Sequence, residues 1–204
     1  MLKIWGRISS INVRKVVLCA QMLSIPFQRI DAGLNFGVVL TPDYLMLNPN
    51  AMVPTIQDGE YTLWESNAIV RYLCARENQF YPSDLHARFT AEQWMDWQQT
   101  SLNRASGTAF VQWIRTPETK RNHHLIAQSV GSTEPMFALL NKQLEHQPFI
   151  AGDQLSMADI PLACEVHRWW ALPQSRPSWP HLERWYGQMR QHPGAFGVLD
   201  LALS

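Results

Sequence analysis

The spacing of apolar residues changes its period once along this chain, near residue 80, and that change limits what it can fold into. Before it, short alternating runs and short helical runs take turns. Leu2 to Trp5 is a brief apolar run, and Val13, Val16, Val17 and Ala20 recur at helical spacing until Pro26, after which "FQRIDA" alternates again. "TPDYLMLNPN" reads as a short helix closed by Asn48-Pro49-Asn50. Thr55 to Gln57 and Tyr61 to Trp64 flank "DGE", a hairpin signal, and Glu65 to about Arg76 is helical through Ala68, Ile69, Tyr72 and Leu73. Residues 1–78 therefore predict the order β-α-β-α-β-β-α. Beyond "NQFYPSD", strand alternation disappears, so residues 86–204 are expected to form a second, all-helical domain. The fold class is α/β followed by all-α.

Two capping signals and one candidate break punctuate the second half. Thr116-Pro117-Glu118 offers a cap, a first-turn proline and an acid, and predicts a helix start. Ser156-Met157-Ala158-Asp159 resembles a capping box, with Ile150 or Leu155 as the staple. "GSTEP", Gly131 to Pro135, predicts a kink or restart.

Composition excludes several function classes. The 204 residues are 46% hydrophobic and 17% charged, enough apolar material for one or two compact domains. Lys+Arg and Asp+Glu are equal at 17 each, so no basic excess points to nucleic acid. No segment approaches the roughly 20 apolar residues of a membrane span, and the N-terminus lacks a secretory run, so a cytoplasmic protein is expected. Cys19, Cys74 and Cys164 sit in apolar helical contexts without a Cys-x-x-Cys pair and read as buried free thiols. The seven His, including adjacent His123 and His124, show no ligand spacing, so no metal is expected.

Three pieces of the first domain carry chemistry together. In "WGRISSINVRKV" a strand delivers Ser9 and Ser10 to the start of a helix, whose free N–H groups favour an anion; a plain capping serine is the alternative. Val53-Pro54 precedes a strand, and a cis bond there would leave the Val53 backbone outward as an edge able to pair with a peptide. In "WESNAI", Ser66 and the first N–H groups of a helix would bind a carboxylate while Glu65 attracts an ammonium, the two charges of a free amino-acid end. An acidic first turn with a capping serine would leave the same signature.

The ordered set of "MVP", hairpin, "ESNAIVRYL" and "FIAGDQLSMADI" resembles the cytosolic glutathione transferases, most closely bacterial, serine-type, theta- or beta-like members, over essentially the whole chain. The resemblance implies a thioredoxin-like first domain, a helical-bundle second domain, a homodimer, and detoxification by joining glutathione to a small electrophile. It implies glutathione as co-substrate and no other cofactor. Glu65 and Ser66 would hold the γ-glutamyl amino and carboxyl groups, and Val53, beside cis-Pro54, the cysteinyl unit. Serine-type members place the activating hydroxyl four residues before a basic residue, which Ser10 and Arg14 match; Ser9 competes, and Asn12 falls where some bacterial relatives approach the thiol.

Departures from the family pattern narrow the reading. Ser9 to Asn12 holds no cysteine, which argues against dehydroascorbate-reducing members, and "SSIN" replaces the isomerase subgroup's Ser-Ser-Cys-Ser. Met52 stands where several relatives have a polar residue. Trp94, Trp97, Trp113, Arg115, Trp169 and Trp170 are candidates for an electrophile pocket between the domains, although most of the nine Trp would simply pack the bundle; Trp113 and Arg115 are the expected pocket residues. Two rival readings remain: a non-catalytic binding or regulatory relative, and thiol exchange or peroxide reduction with glutathione as the only thiol.

Overall fold

The computed structural model describes residues 1–204. The first half runs β1 (Leu2–Trp5), α1 (Ile11–Met22), β2 (Phe27–Ile30), α2 (Pro42–Leu47), β3 (Thr55–Asp58), β4 (Tyr61–Trp64) and α3 (Ser66–Glu77), the order expected from the periodicity. The sheet order is β2-β1-β3-β4, with β1 parallel to β2 and antiparallel to β3, and the β3–β4 hairpin turning at Gly59 with φ +61°. In β1, Leu2 and Ile4 are buried while Lys3 between them is exposed, so alternation sets which face meets the helices.

The second half is helical: α4 (Leu85–Trp97), α5 (Asn103–Phe110), α6 (His123–Gln143), α7 (Asp159–Trp170) and α8 (Pro180–Gln191). Two π-helical segments, Gln98–Leu102 and Val111–Arg115, lie on either side of α5 and carry one helical path from residue 85 to residue 115. No helix is long and apolar enough to cross a membrane. One hydrophobic cluster of 43 buried residues extends through both halves, so the domains share a core. Trp94, Trp169, Trp179 and Trp185 are buried in it, and Phe137 packs against Trp169, Trp170 and Trp179 at 5.5–5.6 Å between ring centroids.

Two expectations for the second half are corrected. Thr116-Pro117-Glu118 opens only a 3-10 turn, Glu118–Lys120; the α-helix starts at His123, where the Asn122 side chain accepts from the N–H groups of His124 (3.0 Å) and Leu125 (3.2 Å). The buried face of that helix begins at Ile126, so the cap just ahead of it prevails. Nor does a new helix restart at Gly131 to Pro135, which lie inside α6. Pro135 withholds one backbone donor, and burial of Ile126, Ser129, Thr133, Phe137 and Leu140 along the whole length holds the helix together.

The Ser156–Asp159 box forms. Ser156 Oγ accepts from the Ala158 N–H, while the Asp159 carboxylate accepts from the Ser156 N–H at 2.9 Å and its hydroxyl at 3.0 Å. The other Asp159 oxygen takes the N–H of Ile150 (3.0 Å) and the indole N–H of Trp185 (2.8 Å). Burial pushes this fully enclosed carboxyl upward, and its four donors oppose that shift. Asp159→Ala would leave three buried N–H donors unpaired, at about 1–3 kcal/mol each, so a loss of at least about 3 kcal/mol is expected by denaturant unfolding.

Candidate active site

The β1–α1 connection is shaped by close packing. Gly6, at φ +147°, passes so near α1 that an added Cβ would sit 2.4 Å from Val13 Cγ2 and 3.2 Å from Val53 Cβ. Only a residue without a side chain threads there, and it brings the following serines to the N-terminus of α1. Ser10 takes the N-cap position (φ −82°, ψ 124°), its backbone N–H donating to Arg7 O at 3.1 Å. Its hydroxyl makes no capping bond, and its side chain is 9% exposed at the wall of a cleft of about 540 Å³. Ser10, Ile11 and Asn12 all line that cleft, which puts the start of α1 against it, a favourable place for an anion.

The same cleft is bordered by Asn12, Val53 and Met52 from the first domain, and by Asn103, Phe110, Val111, Arg115 and Arg168 from the second. The Val53–Pro54 bond is cis. Val53 lies just ahead of β3, and neither its N–H nor its C=O is engaged in a backbone hydrogen bond. Glu65 and Ser66 do not line this cleft directly. Ser66, at the first position of α3, donates its hydroxyl to Asn12 Oδ1 at 3.3 Å, so Asn12 links the start of α3 to the start of α1. Glu65 is exposed and holds φ 72°, ψ 111°, a left-handed backbone state unusual for a residue with a side chain.

Not every expected residue reaches the cleft. Ser9 borders a small adjoining space with Arg14, Cys164 and His167, which shares Ile11, Phe110 and Arg168 with the cleft. Trp113 faces elsewhere, its indole N–H donating to Gln174 at 2.9 Å while Arg121 stacks on its ring. Arg115, two residues on, does border the cleft. Trp113 and Arg115 fall in the same π-helical segment, of which Val111 and Arg115 line the cleft. Sequence reasoning missed Arg7, Phe110 and Arg168. For Arg7 a signal existed, since it shares the short β1–α1 connection with Ser10.

Arg14 does not touch the Ser10 hydroxyl. Its guanidinium donates to Ile8 O at 3.0 Å and to the C-terminal carbonyls of Leu201 (3.1 Å) and Ala202 (2.7 Å). It therefore fixes the approach to Ser10 and straps the chain end onto α1. Next to it, Lys15 is fully buried, its ammonium donating to Gln98 (2.9 Å) and Gln99 (2.8 Å) across the domain boundary. Gln98 in turn donates to Glu165 at 3.0 Å. Burial lowers Lys15 to about 8, the nearby Glu165 opposing. Cys164 is pushed up to about 12 and Cys19 well above its ordinary value, both chiefly by burial, so these thiols stay protonated and unreactive at neutral pH. No three His, Cys, Asp or Glu side chains converge as metal ligands.

An interdomain cleft brings together a serine hydroxyl without a capping bond at a helix start and an unpaired backbone edge before a cis-proline. Comparison with known proteins identifies the family. The sequence matches the family model "Glutathione S-transferase, N-terminal domain" over residues 1–75 and "Glutathione S-transferase, C-terminal domain" over residues 124–188. It is 35% identical to glutathione S-transferase GstB of Escherichia coli over the full length of both chains. It is similar to the theta-class glutathione S-transferase of Xanthomonas axonopodis pv. citri solved with glutathione bound, with a TM-score of 0.96 and 39% identity, covering 100% of this chain and 99% of that one. It is also 27% identical to the disulfide-bond oxidoreductase YfcG of Escherichia coli, over 89% of this chain and 87% of that protein. The chain belongs to the glutathione S-transferase family and is a glutathione transferase.

The Lys15 site predicts a pH dependence. The unfolded chain keeps this proton to about 10.5 and the folded chain releases it near 8, so between those values the unfolded state binds more protons. Stability of the wild type relative to Lys15→Met is therefore expected to rise from pH 7 to pH 10.5, by up to about 3 kcal/mol, in parallel denaturant titrations.

Proposed function

We infer that glutathione lies along the first domain from the start of α3 to the start of α1, with its sulfur at Ser10. In this reading Glu65 attracts the γ-glutamyl ammonium and Ser66 its carboxylate. The Val53 backbone pairs with the cysteinyl unit, and Asn12 spans the interval. The single observation that carries the reading is the uncapped Ser10 hydroxyl at the N-terminus of α1, on the wall of a cleft shared by both domains.

The energetics are sufficient. A thiol titrating near 8.5 needs about 2.7 kcal/mol of preferential thiolate stabilisation to drop by about two units. One hydroxyl donating to an ionised sulfur contributes about 1.5–3 kcal/mol, and the helix N-terminus adds about 0.3–1 kcal/mol. Solvent accepts the proton. The sulfur then attacks an electrophilic carbon held against Phe110, Val111 and Arg115; the new S–C bond forms as the leaving group departs with its electron pair. Glutathione is the co-substrate, with no further cofactor. A two-fold homodimer working in the cytoplasm, in detoxification, completes the proposal by family analogy.

A second reading, thiol exchange on the same bound glutathione, is favoured by the likeness to the disulfide-bond oxidoreductase. The site supplies no cysteine of its own, so glutathione would be the sole thiol in both reactions. Carbon electrophiles assayed beside mixed disulfides and hydroperoxides separate the two. A non-catalytic role gains nothing from a retained Glu65–Ser66 pair.

Two substitutions test the assignment. Ser10→Ala should lower kcat by about 10- to 100-fold through loss of the hydroxyl–thiolate bond while changing glutathione affinity only about twofold, by steady-state kinetics. Glu65→Gln keeps the side chain's shape and removes its charge; glutathione binding by calorimetry is expected to weaken about tenfold, with the melting temperature unchanged.

A further inference from the structure

The charge of the cleft is segregated in a way the whole molecule is not. The chain carries 17 basic and 17 acidic residues, yet the cleft wall holds three arginines, Arg7, Arg115 and Arg168, and no acidic side chain. The ion pairs of Arg29, Arg71, Arg76 and Arg168 leave Arg7 and Arg115 without a carboxylate partner. The Nε groups of Arg7 and Arg168 are buried without any hydrogen-bond acceptor. Arg115 and Arg168 both lie against the Phe110 ring, at 4.8 and 5.3 Å from its centroid. Burial first, and then the charge of another cleft arginine, lowers both Arg7 and Arg115, Arg7 feeling Arg115 and Arg115 feeling Arg168. Like charges gathered in a partly desolvated cleft repel one another, and a bound anion relieves that repulsion.

We propose that the electrophile half of this cleft selects a substrate bearing a carboxylate, which Arg115 binds while Arg7, the other cleft arginine without a carboxylate partner, adds to the positive field and Phe110 receives the carbon skeleton. The proposal rests on the glutathione-transferase reading for its reaction. In water a thiolate and a carboxylate-bearing electrophile repel each other, and the arginines remove that obstacle to close approach. The sulfur forms a bond to the carbon bearing a halide, the carbon–halogen bond breaks, and halide leaves with the pair; the carboxylate is unchanged throughout. Glutathione's own glycyl carboxylate is the other possible source of the anion. Arg115 stands on the helical domain at the end of the Val111–Arg115 segment, while Ser10, Val53 and Glu65 belong to the first domain, so the structure assigns Arg115 to the second substrate.

The test is calorimetric binding of two unreactive isosteres, 3-nitrobenzoate and 3-nitrobenzamide, to wild type, Arg115→Met and Arg121→Met, each with and without saturating S-methylglutathione. Wild type and R121M, whose arginine stacks on Trp113 away from the cleft, should prefer the benzoate by about tenfold or more; R115M should lose that preference while S-methylglutathione affinity stays within about twofold. Glutathione-dependent turnover of 4-chloro-3-nitrobenzoate against its amide should follow the same ratio. A wild type that binds the amide as tightly as the benzoate overturns the proposal, as does an R115M variant that keeps the preference or loses affinity for S-methylglutathione instead. The comparison in wild type holds even if R115M fails to fold. Failure of S-methylglutathione to bind anywhere would sink the glutathione reading separately, because the two isosteres are also compared in the empty cleft.

Discussion

The structure depends on a charged group where charge is costly. Lys15 sits on α1 with no exposed surface, and its ammonium is held only by two glutamine side chains from the far side of the domain boundary. From Gln98 the network runs to Glu165, which accepts from Ser106 at 2.5 Å and pairs with Arg168 on the cleft wall. Burying these groups is justified only while every member stays bonded, so the domains are fixed in one arrangement. Arg14 does the same on the neighbouring turn by gathering C-terminal carbonyls, and Gly194 packs so closely on α1 that an added Cβ would lie 2.6 Å from Met22 N.

That clamping explains how a small site can be precise. The N-terminus of α1 presents Ser10, and α1 is enclosed by α3, α7 and the turn at Pro193–Ala195. Asn67, one residue after Ser66, donates to Met95 O at 2.8 Å, anchoring the start of α3 to the helical domain as well. Both helix starts that would contact glutathione are therefore referenced to the same interface. The left-handed backbone at Glu65 is a local cost the surrounding packing sustains, the pattern expected where a side chain must be aimed at a ligand.

Much of this was legible in the sequence because it follows from period and chain chemistry. The apolar run Leu2 to Trp5, the Asp-Gly hairpin, the change of period near residue 80 and the Ser156–Asp159 box each leave a local signature. What escaped depends on rotation and distance. The direction of Trp113, whose indole N–H donates to Gln174, is not fixed by spacing, and Thr116-Pro117-Glu118 opens no α-helix because a good cap has no helix to serve until the buried face begins at Ile126. The arginine cluster is assembled from residues 7, 115 and 168, far apart in the chain and joined only by the interdomain cleft. No spacing rule brings such residues together.

The most direct test of the central claim is the ultraviolet difference spectrum of the purified protein on addition of glutathione, followed from about pH 5 to 10. A saturable thiolate band that titrates well below the roughly 8.5 of a free thiol is the predicted result if Ser10 and the α1 N-terminus stabilise the ionised sulfur as proposed. Binding confirmed by calorimetry with a band titrating as in free glutathione would contradict it, and would mean that the cleft holds the peptide without activating it.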